Sequence, residues 1–139
     1  MSTALFSFLG IVIGAALQYL VTRHLDNQKH HRELTTKAYT DYLACVSEHA
    51  HLGRARHSQE GRELFAKTTD AKCRICLYGS ASVIEAFAAF EMLGAVVETD
   101  DERATFTNMV ALMRNDSEGG GPVKLAALEV VLLGVKSVT

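Results

Sequence analysis

The sequence is short of proline and tryptophan and has no large excess of one charge. Its 139 residues include one Pro and no Trp, and the formal net charge is −2. A single Pro leaves long stretches free to form helices, and no segment alternates polar and apolar residues long enough to predict a strand. A β-sheet fold is therefore not expected, and the charge balance gives no reason to expect nucleic acid as a partner.

Formal charge is missing altogether from residues 4–22, the one long apolar run. At ~1.5 Å per residue this run forms a helix about 28 Å long, close to the hydrocarbon thickness of a bilayer. A buried core helix is disfavoured because only Ser7, Gln18 and Thr22 interrupt the run. A cleaved signal peptide is the other alternative, but Met1–Thr3 carries no Lys or Arg. An uncleaved single-pass anchor is the prediction.

Basic residues follow the apolar run instead of preceding it. The flank carries four formal cations and three histidines, at Arg23, Lys29, Arg32, Lys37, His24, His30 and His31. The positive-inside rule then predicts an outside N-terminus and a cytoplasmic C-terminal domain, and the same flank is suited to contact membrane lipid. The predicted organisation is an anchor over 1–23, a juxtamembrane and first cytoplasmic helix over 24–57, and the rest of the helical domain over 58–139.

One face of the predicted anchor carries small and polar residues. Gly10, Gly14 and Gln18 are spaced by four, so they share a side of the helix. Glycines let two helix backbones approach closely, and a Gln amide can form a hydrogen bond across the contact. This face predicts association of the anchors and therefore a homo-oligomer.

The rest of the chain shows helical periodicity and recognisable helix ends. The first expected helix covers 34–52 and is either continuous with the anchor or bent near Asp26-Asn27. The second runs from Gln59 to Tyr78 and the third from Ser80 or Ser82 to Gly94. A fourth helix begins at Thr99, and the last covers 123–133. Thr99 and Glu102 have the spacing of a capping box. The apolar residues 123–135 are too few to span a bilayer and predict a buried core helix or an interfacial one. The predicted fold is an all-α bundle on a transmembrane helix.

Cys73 and Cys76 form the one motif that suggests a metal or redox site. They stand about one helical turn apart, and three histidines precede them at His49, His51 and His57. No matching second pair occurs, and the βαβ context of a thioredoxin-like motif is missing. We expect these cysteines to pack as small apolar residues, with no metal and no cofactor. Since no nucleophile–base set is visible either, the sequence predicts a protein that is not an enzyme.

Two charged residues end the fourth predicted helix. Arg114 is a cation at the negative end of the helix, and Asp116 is suited to start a turn. A structural role explains both residues. If either has a further function, a polar contact between subunits is the preferred hypothesis.

Four short motifs resemble those of an uncharacterised family of small bacterial proteins with one N-terminal transmembrane helix. They are Ala38-Tyr39-x-x-Tyr42-Leu43, Arg74-Ile75-x-x-Tyr78-Gly79-Ser80-x-x-Val83, Ala86-Phe87-x-x-Phe90, and Phe106-x-x-x-Val110-x-x-Met113-Arg114-x-Asp116. The resemblance implies a bacterial inner-membrane location and a helical cytoplasmic domain. It attaches no named activity to the chain.

The sequence leads to two hypotheses of function. The first is a non-enzymatic, membrane-anchored scaffold or effector subunit that assembles with itself or with a protein partner, because the chain has many apolar helix faces for its size. The second is a homo-oligomeric pore or membrane-perturbing effector in which Gly10, Gly14 and Gln18 line a central contact.

Overall fold

The structure, a computed structural model, describes residues 2–52, 58–117 and 120–134, except for the side chains of 51 and 52. Over these ranges the chain forms five helices and no strand: α1 Ser2–Leu52, α2 Gln59–Tyr78, α3 Ala81–Met92, α4 Asp100–Asp116 and α5 Leu125–Leu133. The predicted all-α fold is confirmed. The chain divides into two compact units, Met1–Glu33 and Leu34–Thr139, which are described separately.

The first unit is the N-terminal part of helix α1. Every described residue of it, from Ser2 to Glu33, is exposed, including the apolar side chains of 4–22. Helix α1 is long and apolar enough, by length and composition, to cross a membrane. The helix continues through Asp26-Asn27 without interruption, as the first of the two sequence alternatives predicted.

The second unit has one apolar core to which helices α1 to α4 all contribute. Its buried members are Ala38, Tyr39, Tyr42, Ala71, Ile75, Val83, Ala86, Phe87, Phe90, Phe106, Met109 and Met113. Aromatic pairs join the helices: Tyr42 meets Phe87 edge to face at 4.8 Å between ring centroids, and Phe90 lies 5.3 Å from Phe106. Each aromatic pair adds about 0.5–1.5 kcal/mol to the free energy gained by burying its surface. The two pairs therefore help to hold α1 against α3 and α3 against α4.

Polar caps start three helices of this unit. Thr99 and Glu102 form the predicted capping box at the start of α4. Helix α3 begins at Ser80, whose hydroxyl accepts a hydrogen bond from the backbone N–H of Val83, so Ser80 and not Ser82 is its cap. Ser58 caps α2 in the same way through the N–H of Gly61. Caps of this kind contribute about 1 kcal/mol each.

Helix α5 differs from the other helices of the second unit. It is apolar over most of its length, yet none of its residues is buried. It lies against α4, and Leu133 packs on the edge of the core. Gly134, in the left-handed conformation at φ 65°, ends it. Of the two alternatives for this segment, a buried core helix and an interfacial one, the buried core helix does not fit, because none of the residues of α5 is buried.

Candidate functional site

Residues from three of the sequence motifs meet at one polar junction, centred on the phenol of Tyr39. The Tyr39 hydroxyl donates to the carboxylate of Asp116 at the end of α4 and accepts the backbone N–H of Ser80 at 3.3 Å. One turn earlier on α1, the Thr35 hydroxyl donates to the Tyr78 carbonyl at 3.1 Å. The junction therefore ties α1 both to the α2–α3 turn and to the end of α4.

Gly79 is required at this junction by close approach of the backbone. A Cβ at this position would lie 2.6 Å from the Ile75 carbonyl oxygen and 3.2 Å from the Tyr39 hydroxyl. The residue ends α2 with φ −68°, an ordinary conformation for any amino acid. Gly79 is thus confirmed as the residue that ends α2. Glycine is needed there because a Cβ would clash with the Ile75 carbonyl, and not because the backbone conformation requires it.

Burial and the neighbouring Asp116 both raise the pKa of Tyr39 above its usual value. Burial, and then the charge of Glu91, raise the pKa of Tyr42 in the same direction. A phenol held neutral and already engaged in two hydrogen bonds is a poor nucleophile or base near pH 7. The junction connects α1 to its neighbours, and Asp116 accepts the Tyr39 hydroxyl there, a contact that differs from the turn start predicted for it.

His49 also has a structural partner. Its Nε2 lies 3.0 Å from the Thr68 hydroxyl, and that hydroxyl donates its only proton to the Leu64 carbonyl at 2.7 Å. By elimination, Nε2 is the donor to Thr68 and carries the proton. The side chain of His51 and all of His57 lie outside the described residues.

Cys73 and Cys76 are both exposed on α2, and both are free thiols. The expectation that they pack as small core residues is therefore wrong for this pair, whereas Cys45 is buried in that manner. Among the described residues, no group of three or more His, Cys, Asp or Glu side chains is placed to hold a metal ion.

The two cysteines belong to a face of α2 that points away from the core and is uncharged from Phe65 to Leu77, with the exposed Arg62 one turn before it. This α2 stripe consists of exposed residues at helical spacing: Phe65, Ala66, Thr69, Cys73, Cys76 and Leu77. The exposed fractions of Phe65 and Leu77 are 69% and 73%. The Thr69 hydroxyl donates to the Phe65 carbonyl at 2.9 Å, so the one polar side chain of the stripe has its hydrogen bond satisfied within the helix.

Charged groups border the α2 stripe on both sides. Asp70 lies on one edge and is bridged to Arg74 at 2.9 Å, and Arg74 reaches Asp41 on α1 at 2.8 Å. Lys72 lies on the other edge and pairs with Glu91 on α3 at 2.8 Å. This stripe was not predicted from the sequence, because the apolar residues that face the core dominate the periodicity of α2. The spacing of four residues between Phe65, Thr69, Cys73 and Leu77 is the feature of the sequence that indicates this second face.

Gly10, Gly14 and Gln18 lie on helix α1 within the first unit and are exposed. A Cβ built on either glycine meets nothing within 4 Å, so that part of the helix surface is open. Their spacing places them on one side of the helix, as predicted, and their role in association stays a prediction.

No family model matches the chain, and no curated protein or solved structure matches it either.

Proposed function

We propose that the protein is a non-enzymatic subunit anchored in the bacterial inner membrane by helix α1, with its N-terminus outside and its helical domain in the cytoplasm. A second copy of the chain covers the α2 stripe. The observation that carries the proposal is this uncharged face of α2, which lies opposite the core and contains two large apolar side chains exposed by more than two thirds.

Burial of the α2 stripe follows from its composition. Phe65 and Leu77 would leave water on assembly, and each large apolar side chain contributes about 1.5–3 kcal/mol when it is fully buried. The stripe spans 65–77, about 18 Å of a helix that is about 10 Å wide, and so presents about 200 Å². This area is less than the ~800 Å² per partner of a standard interface. A second contact is therefore needed, and the Gly10, Gly14 and Gln18 face supplies it.

The charges beside the α2 stripe favour a copy of the same chain as the occupant. Asp70 lies on one edge and Lys72 on the other. Each edge already holds an ion pair, Asp70 with Arg74 and Lys72 with Glu91, so a two-fold contact between two copies brings balanced edges together and leaves no charge unpaired. Confinement to one membrane raises the effective concentration of the two copies, which strengthens the combined effect of both contacts.

The two native thiols test this contact directly. We expect a short bis-maleimide to link the full-length protein in nanodiscs into covalent dimers through Cys73 or Cys76. The Cys73→Ser/Cys76→Ser variant should give none, since the third cysteine is buried. Phe65→Lys should reduce the yield severalfold, whereas Lys67→Glu, an exposed position outside the stripe, should not. A strictly monomeric mass at micromolar concentration would contradict the proposal.

A pore or membrane-perturbing assembly is the second candidate, and it is favoured by one observation. Gln18 is an exposed amide within the apolar run 4–22, where a polar side chain is retained at a cost. Dye leakage from proteoliposomes that is abolished by Gln18→Leu would support the pore. Intact vesicles together with crosslinked dimers would support the scaffold.

A further inference from the structure

Cys73 and Cys76 differ from the third cysteine of the chain because both of their thiols are exposed and free. Cysteine is among the residues most often buried, and a buried thiol such as that of Cys45 is satisfied by apolar neighbours. Thr69, the polar side chain of the α2 stripe, already donates to a carbonyl of its own helix. The two thiols are therefore the groups of the stripe that are suited to bind a ligand.

The spacing of the two cysteines lets them bind the same ion. Residues three positions apart on an α-helix have Cβ atoms about 5–6 Å apart. In a tetrahedral thiolate site with Zn–S bonds of about 2.3 Å, the sulfur atoms are roughly 3.8 Å apart. Rotation about the two Cα–Cβ bonds can provide this separation. Cys73 and Cys76 can thus supply two ligands, and within the described residues of one chain no third His, Cys, Asp or Glu side chain joins them.

A second copy of the chain can supply the missing pair of ligands. A two-fold axis parallel to α2 places every residue at the same height as its equivalent, so each cysteine meets the same cysteine of the second copy. The midline of the α2 stripe passes between Cys73 and Cys76, which lie about 60° apart around the helix. Viewed along the axis, the Cys73 pair and the Cys76 pair therefore cross, as opposite edges of a tetrahedron do.

Small side chains beside the cysteines allow the two helices to approach closely. Ala66 and Thr69 lie one heptad before Cys73 and Cys76, respectively, so all four residues follow one line along the helix. Side chains of this size permit a distance of about 8 Å between helix axes, the short end of the usual range. Leu77 lies one turn after Cys73 and is exposed, so on assembly it would shield the thiols from water.

We propose that Cys73 and Cys76 of two chains form one four-thiolate site for a soft divalent cation of the zinc class. The inference rests on the dimer proposed above and names the ligand that its α2 contact holds. Four thiolates suit a closed, tetrahedral structural site. In a reducing cytoplasm the thiols stay available for metal instead of pairing as disulfides. Binding releases the thiol protons, and the shared ion links the two chains in addition to the apolar contact.

Cobalt(II) is the probe for this site, because thiolate ligands give tetrahedral cobalt a strong charge-transfer absorption. The full-length protein in nanodiscs is reduced and freed of metal. We expect it to bind one cobalt ion per two chains with this absorption, and we expect zinc to displace the cobalt. Cys73→Ser and Cys76→Ser should each lose most of the absorption. Cys45→Ala is the matched control and should keep it, since that thiol is buried outside the stripe.

A substitution away from the thiols distinguishes a shared site from one within a single chain. Phe65 lies about 12 Å along the helix from Cys73 and is not a ligand, but it belongs to the proposed contact. Phe65→Lys should therefore weaken cobalt binding severalfold although both thiols are present, whereas Lys67→Glu should not. An unchanged affinity in Phe65→Lys, or one cobalt ion bound per chain, would overturn the shared site.

The crosslinking test described above, repeated with a chelator, separates the two proposals. Covalent dimers without the cobalt absorption would overturn the metal site and leave the dimer in place. A monomeric mass both with and without zinc would overturn the dimer and the metal site together. If both proposals hold, zinc should slow the reaction of Cys73 and Cys76 with maleimide, and the chelator should restore it.

Discussion

Helix α1 is one continuous helix whose two parts bury very different amounts of surface. Its first part, up to Glu33, is exposed at every described residue although residues 4–22 are almost entirely apolar. Its second part is mixed in polarity, and Ala38, Tyr39 and Tyr42 are almost completely buried. Apolar content therefore does not decide burial within the chain; the presence of partner helices does.

The difference separates what the fold supplies for itself from what its surroundings must supply. Helices α2, α3 and α4 cover the apolar side of the second part of α1, and the ring of Tyr42 packs against Phe87. Among the described residues, nothing covers 4–22, the α2 stripe or the outer face of α5. We propose that the bilayer interior covers residues 4–22 and that a second copy of the chain covers the α2 stripe.

A matched pair of phenylalanine substitutions tests this comparison, and of all the tests it has the largest expected effect. Phe90 is 2% exposed and Phe8 is 69% exposed. Phe90→Ala should lower the free energy of unfolding of the second unit by about 3–5 kcal/mol, because it leaves a cavity in a closed core. Phe8→Ala should leave that free energy unchanged. The labelling rate of buried Cys45 in urea, with Cys73 and Cys76 replaced by Ser, measures both.

A second substitution sharpens the comparison at the junction that holds the second part of α1. Gly79→Ala should lower the free energy of unfolding by about 1–3 kcal/mol, since its Cβ meets a backbone oxygen that has no room to move. Gly120→Ala is the control, because a Cβ there meets nothing within 4 Å. The same thiol-labelling assay measures both variants. Equal stability of the two would mean that the α2–α3 turn relaxes and that Tyr39 does not need the glycine.

Much of the fold could be predicted from the sequence because local signals set the helix ends. The Gln59 to Tyr78 helix and the Thr99 capping box are examples, since caps and periodicity act within a few residues. Tyr39 was not predicted as a core residue. It lies beside Leu34, Ala38 and Tyr42, which recur at helical spacing on α1. Its partner Asp116 is 77 residues away along the chain.

The candidate surfaces were harder to predict, because residue type alone does not show which side of a helix its neighbours leave uncovered. Cysteine is equally suited to a core and to an exposed face, so the sequence does not separate Cys45 from Cys73. Helix α5 has too little polar patterning to indicate which side faces α4. Only the packed structure shows that Glu129 is half-buried and Val131 exposed.

Alkaline pH provides the test with the smallest expected effect, and it acts only on the second part of α1. Tyr39 and Tyr42 have pKa values raised mainly by burial, so both phenols stay protonated in the fold above the pH at which they ionise in the unfolded chain. The unfolded state then binds fewer protons than the folded state. Stability is fully present below about pH 10 and falls as the pH rises further, by about 1.4 kcal/mol per pH unit for each tyrosine.

Tyr39→Phe separates the contribution of one phenol from that of the other. The variant should be less stable at pH 8, by about 1–3 kcal/mol, because the N–H of Ser80 and the carboxylate of Asp116 lose a partner. Above pH 10 it should lose stability along about half the slope of the parent, since only Tyr42 still resists ionisation. Urea unfolding at pH 9, 10 and 11, followed by circular dichroism of the detergent-solubilised full chain, gives both quantities. An unchanged slope would show that Tyr39 ionises as easily in the fold as in the unfolded chain, and that the junction does not hold its proton.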